Sequence, residues 1–336
     1  MSEMPTYKKS DFVSNQEVRW CPGCGDYAIL SAVQLAMTKI GRKKEDITFV
    51  SGIGCSSRFP YYMDTYGMHT IHGRAPAFAT GLKTHNPNLS IWVITGDGDG
   101  MSIGGNHLIH AIRRNVNMNI ILFNNEIYGL TKGQYSPTSQ MGIVTKSTPF
   151  GAVDRPFTPG SLALGAGSTF FARTIDTDPK HMQDVFLAAE QHQGTSFIEV
   201  FQNCVIFNDK VHDKFTNRLT RDDYTVRVEH GQPMIFGKDR NKGLVLEGFT
   251  PKVVTIGENG VTEADVLVHN EKDINNANML CRLEGENMPA ALGIIRQVEA
   301  PVYDDQVVTQ INEVTEKKGV GSMTKLLHSG DTWVVK

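Results

Sequence analysis

The chain has 336 residues, 40% hydrophobic and 21% charged, with 33 Lys and Arg against 36 Asp and Glu. That apolar content offsets chain entropy and excludes a disordered protein, and the net charge of −3 argues against a nucleic-acid surface as the main function. No apolar run approaches the roughly 18 residues of a membrane span, and the polar Met1–Asp11 segment has no signal-peptide core. A cytoplasmic protein with neither a membrane nor a nucleic-acid partner is therefore expected. Five cysteines are too few for a disulfide framework in a chain this long.

Two periodicities alternate along the first two-thirds. Tyr27–Ile40 places Ile29, Val33, Met37 and Ile40 on one stripe, the spacing of an amphipathic helix. Ile47–Val50 reads as a short buried strand and Ser90–Thr95 as a second. His107–Arg114 is a helix through Leu108, Ile109 and Ile112, and Asn119–Asn124 is a third strand. Pro179–Gln193 is a helix with Met182, Val185, Phe186 and Ala189 inward, and Ser196–Phe201 is a fourth strand. Short apolar strands alternating with helices predict an α/β fold, a parallel sheet covered by helices on both faces. Residues 1–215 form this domain. Residues 216–336 read as a C-terminal extension packing on the core or on a partner subunit. It holds apolar pieces at Lys252–Ile256 and Asp265–Val268, and a helix over Asp304–Glu316 through Val307, Val308, Ile311 and Val314.

In such sheets ligands bind beyond the carboxyl ends of the strands. Val50 leads into Ser51-Gly-Ile-Gly-Cys-Ser-Ser57, Thr95 into Gly96-Asp-Gly-Asp-Gly100, and Phe123 into Asn124-Asn-Glu-Ile-Tyr-Gly129. A carboxylate between glycines at a strand end suits a divalent cation held against a phosphate. An EF-hand is excluded, because the twelfth residue from Asp97 or Asp99 is Leu108 or His110, and no P-loop occurs. Asn125, 28 residues after Asp97 and just past the next strand, adds an amide oxygen that can share one octahedral Mg²⁺ with that carboxylate. Cys21-Pro-Gly-Cys24 is a metal- or cluster-binding turn, and Cys55 and Cys204 follow two of the strands. A zinc ribbon, a thioredoxin-type redox pair and a [4Fe–4S] cluster all compete for these thiols. Cys281 reads as an inert buried thiol.

The Gly-Asp-Gly…Asn-Asn spacing resembles that of thiamine diphosphate enzymes. Together with Cys21-Pro-Gly-Cys-Gly, Gly52-Ile-Gly-Cys-Ser-Ser57, His72-Gly-Arg-Ala75 and Tyr128-Gly-Leu-Thr-Lys-Gly-Gln134, the order of motifs resembles the β subunits of 2-oxoacid:ferredoxin oxidoreductases over roughly residues 15–240. The resemblance implies the thiamine diphosphate-binding fold. It implies Mg²⁺ on Asp97, Asn125 and the Ile127 carbonyl, and cofactor contacts from Ile53, Gly54, Cys55, Ser56, His72, Gly98, Asp99, Gly129 and Leu130. Gly98 and Gly129 would leave room for the diphosphate. A [4Fe–4S] cluster would sit on Cys21, Cys24, Cys55 and Cys204. Arg58 and Lys132 are candidates for an anionic substrate carboxylate or coenzyme A phosphates.

The implied reaction is oxidative decarboxylation of a 2-oxoacid with acyl capture by coenzyme A and electrons leaving singly for ferredoxin. A cluster beside thiamine would serve that single-electron exit. The Gly129–Gln134 segment resembles the 2-oxoglutarate branch, with pyruvate or a broad substrate range as the alternative. A non-oxidative thiamine lyase and a zinc-bound scaffold subunit are the competing functions. No pyrimidine-binding domain with its activating glutamate is visible, so an α subunit is expected to supply it, in an (αβ)₂ assembly.

Overall fold

The computed structural model describes residues 6–283 and 285–335. Among the described residues eleven strands form: β1 (Ile47–Ser51), β2 (Tyr66–His69), β3 (Ser90–Gly96), β4 (Met118–Asn124), β5 (Phe170–Ile175), β6 (Thr195–Phe201), β7 (Thr225–Val228), β8 (Ile235–Phe236), β9 (Lys242–Glu247), β10 (Thr250–Thr255) and β11 (Ala290–Gln297). Eight of them make one sheet in the order β2-β1-β3-β4-β6-β5-β11-β7. The first six run parallel, while β11 is antiparallel to β5 and parallel to β7. The predicted parallel sheet is therefore present, with a reversed pair at one edge.

Helices α1 (Asp26–Met37), α2 (Ala75–His85), α3 (Asp97–Met101), α4 (Gly105–Arg114), α5 (Pro159–Gly165) and α6 (Pro179–Gln191) accompany the parallel strands. The apolar residues separate into two large buried clusters. One holds Val93, Ile120, Leu122, Leu108 and Ile112. The other joins α1 and α6 to Phe49, Trp92, Ile121 and Phe123. A sheet buried on both faces explains why β3 and β4 read as apolar runs rather than alternating ones. Each fully buried aromatic or aliphatic side chain here contributes about 1.5–3 kcal/mol of transfer free energy.

Three features differ from the sequence reading. Strand β5 went unseen because Arg173 interrupts its apolar run. That charge is buried against Glu199 of β6, Nε to Oε2 at 2.8 Å, directly across the ladder. The stretch after 215 supplies β7 and β11 to the main sheet as well as the antiparallel sheet β10-β9-β8, so it is partly core rather than only an appendage. At the β11–β7 contact Gly293 has φ +124°, and a Cβ there would meet the Val228 carbonyl oxygen at 2.6 Å. The expected helix forms over Tyr303–Lys318, but only Asp304 is buried within it. Ile311 and Val314 of its predicted core stripe are exposed on this chain.

Parallel neighbours deliver their C-terminal ends to one edge of the sheet. Because β1, β3, β4 and β6 are consecutive in that order, the loops bearing Cys55, Asp97, Asn125 and Cys204 lie side by side.

Candidate active site

The GDGDG loop divides into two carboxylates with different surroundings. Asp99 is 4% exposed. Its Oδ1 accepts backbone N–H groups from Ile53 at 3.0 Å and Gly73 at 2.7 Å, and its Oδ2 accepts the Thr95 hydroxyl at 2.7 Å. The carboxylate thus clasps the 52–56 loop and the 72–73 turn to the end of β3. Gly52 makes that possible, since a Cβ there would lie 1.9 Å from Asp99 Oδ2.

Asp97 is equally buried, yet it forms no ion pair among the described residues. Its Oδ2 accepts the hydroxyls of Thr138 at 2.6 Å and of Ser136. Burial pushes its carboxyl up to about 6, against the pull of those hydroxyls. A buried carboxylate with polar neighbours but no counter-cation is the environment a divalent ion completes.

Asn125 sits on the adjoining strand end. Its Nδ2 donates to Gln202 Oε1 at 2.7 Å and its Oδ1 accepts from the Ile127 backbone N–H at 3.2 Å. The turn between them passes through Glu126, whose φ of 55° is left-handed, at a cost of about 1 kcal/mol for a residue with a side chain. Ser139 and Asn208 donate to the Glu126 carbonyl and hold that turn in place. Burial, with Asp97 and Glu199 nearby, raises the Glu126 carboxyl to about 7.

Asp97, Asn125 and Ile127 line one cleft with Ile53, Gly54, Cys55, Ser56, His72, Gly98, Asp99, Gly129 and Leu130. Every residue expected to touch the thiamine cofactor or its cation is thereby brought together. Two refinements concern the carriers of the contacts. Asp99 has both oxygens committed to the loops. The room expected at Gly98 is filled by Tyr128, whose ring would lie 2.2 Å from an added Cβ and whose hydroxyl donates to the Gly98 carbonyl at 2.9 Å. Gly129 instead faces sulfur, Cys55 Sγ at 3.5 Å and Cys204 Sγ at 3.6 Å from the position of a Cβ.

A second cavity of about 270 Å³ opens on the other side of Gly129. Cys21, Cys24, Cys55 and Cys204 all line it, with Arg58 and Lys132. Cys21 is exposed and the other three are half-buried. The positive φ of 83° at Gly23 turns the chain between Cys21 and Cys24. Burial, the Asp26 carboxylate and neighbouring sulfurs push the Cys55 thiol up to about 12, and Cys24 is raised by the same causes. Cys24 and Cys55 can both be thiolates only beside a cationic centre. Arg58 and Lys132 belong to this cavity and are not among the residues lining the Asp97 cleft. Cys281 is buried apart from it, pushed up to about 12 by burial.

The two cavities share Asp26, Cys55, Asn125, Gly129 and Leu130 as walls. Asp26 escaped sequence reading altogether. It is 1% exposed, its Oδ2 has no hydrogen-bond partner, and burial and Asp176 raise its carboxyl to about 7. Nothing in an isolated Asp at a helix start signals that position.

Residues 52–200 match the thiamine pyrophosphate enzyme, C-terminal TPP binding domain. The 2-oxoglutarate oxidoreductase subunit KorB of Mycobacterium tuberculosis is 49% identical over 98% of this chain and 88% of its own length. The chain belongs to the 2-oxoacid:ferredoxin oxidoreductase β subunits. Another relative of this β subunit, the 2-oxoacid:ferredoxin oxidoreductase subunit beta of Saccharolobus solfataricus, is 43% identical over 60% of this chain and 68% of its own. A solved structure of 2-oxoglutarate:ferredoxin oxidoreductase from Magnetococcus marinus, with 2-oxoglutarate, coenzyme A and succinyl-CoA bound, superposes with a TM-score of 0.76. It is 33% identical and covers 98% of both chains. The protein is thus an oxidoreductase subunit with the thiamine-binding fold, and its designation as a β subunit implies an α partner. No helix of the described residues is long and apolar enough to cross a membrane.

Proposed function

We propose that this β subunit, with an α subunit, catalyses CoA-dependent oxidative decarboxylation of 2-oxoglutarate in the cytoplasm and passes electrons through its own [4Fe–4S] cluster to ferredoxin. The balance is 2-oxoglutarate, coenzyme A and two oxidised ferredoxins giving succinyl-CoA, CO₂, two reduced ferredoxins and a proton, and it is reversible. The observation that carries the proposal is the shared wall. A cavity ringed by four cysteines abuts the cleft of Asp97 and Asn125, with Cys55 facing both.

Thiamine diphosphate, when bound, supplies the electron sink that lets CO₂ leave a 2-oxoacid. This chain's residues hold it and exclude water. Asp97, the Asn125 amide oxygen and the Ile127 carbonyl suit Mg²⁺, and the 53–56 loop, His72, the Gly98–Asp99 backbone, Gly129 and Leu130 form the cradle. Cys55 and Cys204 are single cysteines from distant segments rather than a second Cys-x2-Cys pair, which favours a cluster over zinc on Cys21, Cys24, Cys55 and Cys204. Arg58 and Lys132 offer cations to the distal carboxylate of the substrate or to coenzyme A phosphates. The α subunit supplies the pyrimidine-binding half and glutamate, and two αβ units associate.

The test is an anaerobic assay of the purified αβ complex across several 2-oxoacids, with iron and sulfide analysis. Four irons per β chain and 2-oxoglutarate- and CoA-dependent ferredoxin reduction are expected. Aldehyde release without CoA dependence, or a colourless zinc protein, would defeat the proposal. A preference for pyruvate would replace the substrate while leaving the reaction class intact.

A further inference from the structure

Gln202 lines the cysteine cavity behind Asn125, 1% exposed, on the residue that follows β6 and two positions before Cys204. Its amide contacts both sides. Nε2 is 2.6 Å from the Asn203 carbonyl oxygen and 3.4 Å from Cys24 Sγ, and Oε1 accepts Asn125 Nδ2 at 2.7 Å. Asn125 Oδ1 in turn meets the Ile127 backbone N–H at 3.2 Å.

Both ends of this chain are backbone groups with fixed polarity. The Asn203 carbonyl can only accept, so the Gln202 atom beside it is the NH₂ group, and the second amide proton points at Cys24 Sγ. Gln202 Oε1 must then face Asn125, which donates through Nδ2, and Asn125 Oδ1 is left at the Ile127 N–H. Turning the Asn125 amide over would set oxygen against oxygen at one end and N–H against N–H at the other. With Gln202 buried and Asn125 half-buried, two such mismatches would cost far more than the arrangement observed. The orientation of Asn125 is therefore determined by Gln202. Gly25 permits the approach, because a Cβ there would lie 3.0 Å from Gln202 Cγ.

We propose that Gln202 is a positioning residue that serves both cofactors at once: it turns the Asn125 oxygen toward the cation of the thiamine cleft and donates N–H to the Cys24 sulfur of the cluster. This rests on the cluster and Mg²⁺ assignments above. Hydrogen bonds to cluster sulfurs stabilise the added negative charge of the reduced state and raise its potential. Partners that orient a metal ligand commonly change metal affinity ten- to hundredfold when removed.

The two roles separate by substitution in the αβ holoenzyme. Gln202→Leu removes donor and acceptor. Gln202→Glu removes the donor to sulfur but keeps an acceptor for Asn125. The cluster midpoint potential is read by redox titration followed by electron paramagnetic resonance. Mg²⁺ affinity is read by titrating Mg²⁺ with thiamine diphosphate into cofactor-stripped complex. Gln202→Leu is expected to lower the potential and weaken Mg²⁺ binding about ten- to hundredfold. Gln202→Glu is expected to lower the potential while keeping Mg²⁺ affinity within about threefold, a split that general loss of packing would not produce. An unchanged potential in Gln202→Glu with four irons retained overturns the inference, as does equal loss of Mg²⁺ affinity in both variants. If Gln202→Leu fails to hold iron, Gln202→Glu alone decides by its potential. A wild-type complex without iron would instead refute the cluster assignment, and the inference with it.

Discussion

Asp97 and Asp99 are two residues apart and equally buried, yet their removal should move stability in opposite directions. Asp99→Ala withdraws the acceptor from the Ile53 and Gly73 N–H groups. Each buried orphan costs about 1–3 kcal/mol, so the loss is roughly 2–6 kcal/mol in all. Asp97 carries the reverse balance. Its carboxyl titrates near 6 in the fold against 3.8 ordinarily, so the folded chain holds its proton longer and loses stability as the pH rises between those values. At pH 7 keeping it ionised without a cation costs about 3 kcal/mol. Asp97→Asn removes that charge while still accepting a hydroxyl. It should raise the stability of the cofactor-free complex by up to about 3 kcal/mol and abolish Mg²⁺-dependent thiamine diphosphate binding. Urea unfolding of cofactor-stripped complex at pH 7, paired with Mg²⁺ and thiamine diphosphate titration of each variant, measures both. Equal destabilisation by the two substitutions would refute the division of roles. So would an Asp99→Ala variant that loses only cofactor affinity.

Other consequences are equally measurable. The Arg173–Glu199 pair is buried, so Glu199→Leu strands a guanidinium and should cost about 3–5 kcal/mol, whereas the double variant Glu199→Leu, Arg173→Met should cost less than the single one; urea midpoints distinguish them, and a worse double variant would contradict the pairing. His212 is held down to about 4 by burial against an ordinary 6.5. The unfolded chain therefore takes up that proton first, and stability should fall as pH is lowered from 6.5 toward 4. Replacement by Gln should flatten that window in unfolding curves recorded at several pH values. Gly52→Ala forces a methyl against Asp99, and the displaced Cys55 loop should appear as iron deficiency in the purified complex. On the exposed stripe of the Tyr303–Lys318 helix, Ile311→Glu with Val314→Glu should leave the unfolding of the isolated chain within about 0.5 kcal/mol of the parent.

Much of the fold was legible because a sheet buried on both faces writes itself as unbroken apolar runs. Ile47, Ser90 and Asn119 stand within one residue of the starts of β1, β3 and β4. β5 was obscured because a sequence does not show that Arg173 has a carboxylate waiting on the next strand. β2 has all four residues exposed and carries no apolar signal at all. β7 and β11 find each other across some sixty residues of intervening chain, a pairing that local patterns do not announce. At the site, glycines and cysteines gave positions because their chemistry is unusual wherever they stand. Asp26, Glu126 and Gln202 are ordinary residue types whose surroundings come from distant loops. Gly98 shows the converse error. Its location was legible, but the neighbour filling its space, Tyr128, was not.

The wall common to the two cavities constrains how such a protein can change through descent. Cys55 lies between Gly54 and Ser56 and lines both cavities, so under the proposed assignment one segment would hold the thiamine cofactor and the cluster together. On that assignment a substitution at Cys55 would disturb both ligands at once, because the residues on either side of it line the thiamine cleft.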